Sequence, residues 1–469
     1  MIKRSGLVLF FIFLTSCAAG PDYRAPEDSV AAEFVRADTP VFAPGEPEHD
    51  WWRLLNDPLL DDLIGQALIA NKDLRAANAN IRASRALLRR QKFDALPTVT
   101  TSGSATRQRT SAAMLPADPG IDTFYDAGFD ASWELDFFGR VARSTEATAA
   151  RYEADIADRH ALAVSVTAEV ARVYLELRGA QRQLAVAIRN ADNQASTLEL
   201  TEVLQRRGRG TDLDVARAEA QVSTTRATAE ALKVDVARAI HRLAVLVGQA
   251  PQSLVDSLSV TASLPALPAT VAIGDPASLL RRRADIHAAE RRLAAATAAI
   301  GIASADLFPR VTLTGSAGFT ANAAADFGRG TTERWSLGPF LSWPALDLGR
   351  VRARIHAADA SAEAHLATYE QTVLVALEET ENALVAFAQS ANREAHLGDA
   401  EQASARAVAL AQARFRNGLD SFLAVLDAER RLLEAQSLLA QAETENALAF
   451  VSVYKALGGG WQQQAAPSI

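Results

Sequence analysis

Three side chains in this sequence are spaced so that one helical face carries an apolar, an acidic and a basic group. Leu423, Asp427 and Arg430 stand at i, i+4 and i+7, and residues three and four apart are surface neighbours on an α-helix. They follow Asn417-Gly418-Leu419-Asp420-Ser421, where the Asn-Gly pair stops one helix before another starts. The chemistry open to such a triplet is electrostatic. Gathered around a symmetry axis, the carboxylates would raise one another's apparent pKa values and attract cations, while the arginine could tether a neighbouring helix. An ordinary solvated helix face has the same pattern. Gly208 and Gly210 mark an equivalent turn earlier in the chain, as Gly418 and Leu419 do here.

Little else in the chain could form a reaction centre. There is no phosphate-binding Gly-x-x-x-x-Gly-Lys loop and no Gly-x-Ser-x-Gly nucleophile elbow. The 7 histidines are dispersed, none paired with another at helical metal spacing beside a third ligand. Met1 and Met114 are the only methionines, too few for a soft-metal relay. A net charge of -8 argues against a nucleic-acid partner. Neither enzyme chemistry nor a metal or organic cofactor is expected. The single cysteine excludes a disulfide within one copy, yet it occupies a marked position. Lys3 and Arg4, the apolar run Leu7 to Leu14, and then Leu14-Thr15-Ser16-Cys17 form a secretory signal over residues 1–16. The ending resembles the lipobox of bacterial lipoproteins, in which the thiol takes up diacylglycerol; an ordinary signal peptide is the alternative. Ala18, where an aspartate would direct a lipoprotein to the inner membrane, resembles an outer-membrane address. The covalent lipid on Cys17 would be the one non-protein group, holding an extended segment over 17–50 at a membrane surface.

The elements that must position the turn residues are written twice. Asp94-Ala95-Leu96-Pro97 and the following Thr98 to Ala105 resemble Asp306-Leu307-Phe308-Pro309 and Arg310 to Ala317. Ser132-Trp133 and Gly139-Arg140-Val141 recur as Ser342-Trp343 and Gly349-Arg350-Val351, and Gly208, Leu213, Val215, Ala218 and Glu219 recur as Gly418, Leu423, Val425, Ala428 and Glu429. One duplication gives a first repeat over 51–260, a second over 261–461 and a tail over 462–469. Each repeat opens with alternating runs, predicted as strands near 98–107, 123–137, 310–320 and 333–345. Tyr125, Ala127, Phe129, Ala131, Trp133 and Leu135 alternate with polar residues, and so do Val311, Leu313, Gly315, Ala317 and Phe319. That alternation suits a membrane barrel with a wet lumen and also a soluble two-sheet sandwich. No proline interrupts Pro119 to Pro251 or Pro344 to Pro467, which predicts long helices over 139–248 and 349–457. Gly139 to about Arg207 alone would extend roughly 100 Å at 1.5 Å per residue. Helical stretches from Leu59 to about Arg90 and from Leu279 to about Ala305 precede the strand pairs, and 21–47 and 251–276 read as extended linkers.

No other stretch reaches the ~18 apolar residues of a spanning helix, so a span requires a closed barrel. Four strands cannot close one; the smallest use about eight. Three copies would supply twelve strands and twelve long helices under cyclic symmetry. The expected fold is mainly α with a small membrane β-barrel portion, built as a trimer.

Several landmarks then carry a family resemblance: Cys17-Ala18-Ala19-Gly20-Pro21-Asp22-Tyr23, Trp51-Trp52 with Asp57-Pro58-Leu59, Ser132-Trp133-Glu134-Leu135-Asp136, Leu280 to Ile286 with Ala289-Glu290, and Tyr454 to Trp461. Together they resemble the outer-membrane factors of resistance–nodulation–division tripartite efflux systems, the NodT-type lipoprotein branch related to TolC and OprM. Ala284 stands where that family usually has proline, which should alter a local helix start. The resemblance implies a homotrimeric outer-membrane conduit for small molecules, partnered by a periplasmic adaptor and an inner-membrane pump. It also implies a gate at the periplasmic tip, with Leu423 as an apolar ring, Asp427 as an acidic ring and Arg430 as a tether. Gly208, Gly210, Gly418 and Leu419 would lie in the turns that meet the adaptor. At the 210-residue offset, Arg217 takes the place of Asp427, which puts the acidic gate in the second repeat. A protein-secretion duct of the same architecture and a structural coiled-coil lipoprotein are the competing readings.

Overall fold

The structure is a computed structural model that describes residues 18–26, 30–109 and 121–461. The signal segment, Cys17 and the tail lie outside the described residues. The chain divides into two compact units, one from Met1–Glu27, Ala79–Ile156 and His287–Gln371, the other from Asp28–Asn78, Ala157–Ile286 and Thr372–Ile469. Each unit draws on both repeats.

The first unit is built on an antiparallel sheet. Strands β2 (Thr98–Gln108), β3 (Asp122–Leu135), β5 (Arg310–Ala321) and β6 (Glu333–Ser342) lie in the order β2-β3-β5-β6. Register turns the alternation into faces, because directly opposed residues point the same way. Phe129 opposes Thr101 and Ala317, and Ala317 opposes Trp335; Ala131 opposes Val99 and Gly315, and Gly315 opposes Leu337. One face therefore carries Val99, Phe129, Trp133, Leu313, Trp335, Leu337 and Leu341. The other carries Ser316, whose hydroxyl lies 2.8 Å from that of Ser336, and Asp126, which accepts from Thr320 at 2.6 Å and pairs with Arg334 at 2.7 Å. Gly128 opposes Gly318, and a Cβ on either would sit within 2.7 Å of the opposing backbone oxygen. Only glycine lets these two strands approach so closely. Both repeats anchor a strand in the same way: Trp133 Nε1 donates to Ala95 O and Trp343 Nε1 to Leu307 O, each at 3.0 Å.

Residues 18–26 are strapped onto this unit. Ala19 N donates to Phe138 O at 3.0 Å, and Arg143 holds Asp22 at 2.6 Å. Gly20, at φ +83°, passes so close to Gly301 that a Cβ would lie 2.5 Å from its Cα. The Tyr23 hydroxyl donates to Glu290 at 2.8 Å.

The helices follow from capping and proline placement. Helix α1 (Pro58–Ala70) starts with Asp57 accepting from the Leu59 and Leu60 amides and with proline at its first position. It stops at Asn71, whose side-chain Oδ1 accepts from Asp73 N and Leu74 N to open α2 (Lys72–Phe93) and whose Nδ2 donates to Leu246 O at 2.9 Å. The stretch expected from Leu59 to Arg90 is thus two helices. The stretch from Leu279 also divides, into α6 (Pro276–Arg282) and α7 (Ala284–Ala305). Helix α7 begins at Ala284 without a proline. Arg283 between the two helices is extended and 8% exposed, held by Asp285 and Glu379 at 2.7 and 2.8 Å and by Ala456 O at 3.0 Å. The expected linker at 251–276 contains a 3-10 turn at Pro251–Leu254 and the short α5 (Val255–Leu258). Beyond them β4 (Val271–Ala272) pairs in parallel with β1 (Phe42–Ala43).

The core of the second unit is centred on Trp51. Its ring is fully buried, stacked on Tyr454 at 5.4 Å, and meets Trp52 and Phe450 edge-on at 5.9 Å. Around it pack Leu60, Leu63, Leu175, Leu243 and Leu384. The long helices form two hairpins: α3 (Arg140–Arg206, 67 residues) with α4 (Asp212–Leu246, 35 residues), and α8 (Leu348–Arg416, 69 residues) with α9 (Phe422–Ala456, 35 residues). No helix among the described residues is long and apolar enough to cross a membrane.

Candidate functional site

The two hairpin turns are built alike. Gly208 has φ +66° and Gly418 has φ +71°, the left-handed conformation that ends a helix at little cost only for glycine. Gly208 N bonds Gln205 O and Arg209 N bonds Leu204 O; Gly418 N bonds Phe415 O and Leu419 N bonds Arg414 O, all at 2.8–2.9 Å. A Cβ on Gly208 would meet nothing within 4 Å, so conformation rather than packing calls for glycine. Gly210 differs: its φ is not positive, and a Cβ there would sit 3.2 Å from Gln205 N. The turns also differ in how the next helix starts. Thr211 and Asp214 form a reciprocal capping box for α4, whereas Ser421 makes no side-chain cap on α9 and the second turn is instead braced by Arg414 on Asp420 at 2.9 Å. Leu213, Leu419 and Leu423 are each more than half exposed. They leave an apolar rim on the turns, and Arg209 comes within 4.0 Å of the Cβ position of Gly418.

Asp427 and Arg430 lie together on α9. Asp427 Oδ1 accepts from Arg430 at 2.8 Å, and its Oδ2 accepts from Arg431 at 2.9 Å. Arg431, and then Arg430, hold the exposed carboxyl below the usual aspartate range. In this chain Arg430 therefore turns back on its own helix. Arg431 did not stand out in the sequence, although an acid four residues ahead of an arginine is a recognisable pairing signal.

The other group that sequence reasoning missed is Glu429. It repeats Glu219, but Glu219 is exposed while Glu429 is 6% exposed between three helices. One oxygen accepts from Thr197 of α3 at 2.8 Å and from Gln412 of α8 at 3.0 Å, and the other has no partner. Burial pushes its carboxyl above the ordinary glutamate range, against the two donors. The folded state therefore binds this proton more tightly than the unfolded chain does. Stability is fully present below the unfolded value of about 4.3 and is lost as pH rises through the folded value. Glu429→Gln is expected to raise the apparent melting temperature at pH 8 by about 2 °C, for roughly 1 kcal/mol. The two proteins should melt together at pH 4. A gain of equal size at both values would show that charge is not the cause.

These turns belong to a chain with close relatives. The family model described as outer membrane efflux protein matches residues 63–249 and 276–459. The antibiotic efflux pump outer membrane protein ArpC of Pseudomonas putida is 32% identical over 98% of this chain and 96% of its own length. Nodulation protein T of Rhizobium leguminosarum bv. trifolii is 32% identical over 96% of each. The solved outer-membrane channel OprN superposes with a TM-score of 0.90 at 44% identity, over 95% of this chain and all of that one.

Proposed function

Because the chain belongs to the outer membrane efflux protein family, we propose that three copies close their four-stranded sheets into one twelve-stranded barrel, whose long helices form the periplasmic tunnel. The protein is the outer-membrane channel component of an efflux pump. The observation that best supports threefold closure is the sheet. Its outer strands β2 and β6 each have only one pairing partner among the described residues, and one face carries large apolar side chains on all four strands, Val99, Phe129, Leu313 and Leu337 among them. An open edge and an exposed apolar face are both unfavourable in isolation; in a closed barrel the edges pair and lipid covers the face. The path is passive, with selection and energy supplied by an inner-membrane pump through a periplasmic adaptor that meets the apolar rim of the turns. The two repeats, 51–260 and 261–461, are read as one ancient duplication, and Cys17 as the acylated residue.

The detergent-purified protein should migrate on gels as a trimer that converts to monomer on heating and should release dye from liposomes. A monomer that leaks nothing overturns the reading. Palmitate label should enter the wild type and not Cys17→Ser, and an adaptor co-expressed with the protein should be retained on it.

Leu423 and Asp427 of α9 are assigned to the tip gate. Three Asp427 side chains around an axis would each lie between Arg430 and Arg431 of their own helix and repel the other two. Asp427→Ala is expected to raise single-channel conductance in planar bilayers several-fold and to weaken block by multivalent cations. Unchanged conductance and block would remove Asp427 from the gate.

A further inference from the structure

A half-open cavity of about 420 Å³ lies in the second unit near the turns, walled by α3, α8 and α9. Its walls are of two kinds. Leu200, Val408, Phe415, Val425 and Leu432 are apolar, while Gln194 and Glu429 are more than nine-tenths buried and bring polar atoms with no partner. Those atoms are Glu429 Oε2 and both amide atoms of Gln194. A buried carboxylate oxygen and amide oxygen left unsatisfied cost more than exposed ones. An ammonium group can donate to both oxygens at once and supplies the charge opposite to a carboxylate.

We propose that this cavity is a binding site for a small primary ammonium ion with an apolar body. The ammonium would donate to Glu429 Oε2 and to the Gln194 amide oxygen, and its hydrocarbon would lie against Leu200, Phe415 and Val425. The volume is within the range of small-molecule sites, ~300–1,000 Å³. Charge on the surrounding elements is sparse. The α3 wall consists of Asn190, Asn193, Gln194, Ser196, Thr197 and Leu200, none titratable; α9 brings only Glu429; α8 brings Arg416. The exposed Arg416 lines the wall, its Nε donating to Gln412 O at 3.3 Å, so its positive charge disfavours a second cation there. Burial favours the protonated form of Glu429 relative to an exposed glutamate, so binding of the cation is linked to release of that proton. Affinity should therefore rise with pH until the amine itself begins to lose its charge.

The site does not depend on the channel reading, since it lies within one chain. The test is titration calorimetry on the full-length protein in detergent, with n-hexylammonium chloride as probe and 1-hexanol as its neutral counterpart. The expected result is saturable binding of one hexylammonium per chain that strengthens at least threefold between pH 5.5 and 8. Glu429→Gln should weaken it at least tenfold, Gln194→Leu several-fold, and Arg416→Ala should strengthen it. Glu434→Gln, which alters an exposed acid on the same helix, should leave it within twofold. A melting curve of each variant shows that it is folded, and Gln194→Leu keeps the test open if Glu429→Gln is not. The proposal fails if hexylammonium does not saturate, if hexanol binds as tightly, or if both Glu429→Gln and Gln194→Leu bind within twofold of wild type, in which case water alone fills the cavity.

Discussion

Leu337→Arg is expected to remove the heat-modifiable oligomer from the outer-membrane fraction. Leu337 lies midway along β6, 70% exposed, opposite Gly315 on the apolar face. In a barrel this face meets hydrocarbon. An arginine at the bilayer midplane costs about 2–4 kcal/mol per strand, and threefold symmetry applies that cost three times in one assembly. The neighbouring position is the control. Ser336 points to the other face, its hydroxyl against Ser316, so Ser336→Arg should still assemble and should alter conductance instead. Fractionation and gel migration of both variants read the result. Equal assembly of the two would mean that the apolar face does not meet lipid.

Trp51→Ala is the second large effect, and it acts on folding alone. The indole is fully buried and has aromatic neighbours on three sides in Trp52, Phe450 and Tyr454. Truncating a buried tryptophan costs about 3–5 kcal/mol from lost transfer energy and the cavity left behind. Relaxation is hindered here because Gly459 also packs on the ring, its Cβ position 3.0 Å from Trp51 Cδ1. The variant should be cleaved by protease at temperatures where the wild type resists, and Trp51→Phe should fall between them. Protease resistance equal to the wild type would show that this cluster adds little to stability.

Much of this was legible from the amino acids, for identifiable reasons. Period-two alternation survives any tertiary context that buries one face, so Tyr125 to Leu135 and Val311 to Phe319 could be assigned to strands and faces before register was known. The absence of proline and the doubled Gly208/Gly418 signal marked the long helices and their turns. The breaks at Asn71 and Arg283 were harder. Asn71 lies inside an unbroken helical pattern, and its capping role is fixed by a bond to Leu246, 175 residues away. Arg283 is extended because Glu379 and Ala456, distant in sequence, hold its guanidinium. Glu429 was the hardest case. The repeat makes it look equivalent to Glu219, and only the packing of α9 against α3 and α8 separates a buried acid from an exposed one.

The strap formed by residues 18–26 acts as a leash. Ala19 is bonded to Phe138, which stacks on Phe308 at 4.6 Å, and Cys17 is two residues upstream, a reach of about 7 Å. With Cys17 acylated as proposed, acyl chains on so short a tether would be held at a very high local concentration beside these rings. Such a lipid would act as an intramolecular ligand of the Phe138 and Phe308 rings. Lengthening the leash by a flexible insertion after Ala18 would dilute that contact while keeping the same anchor.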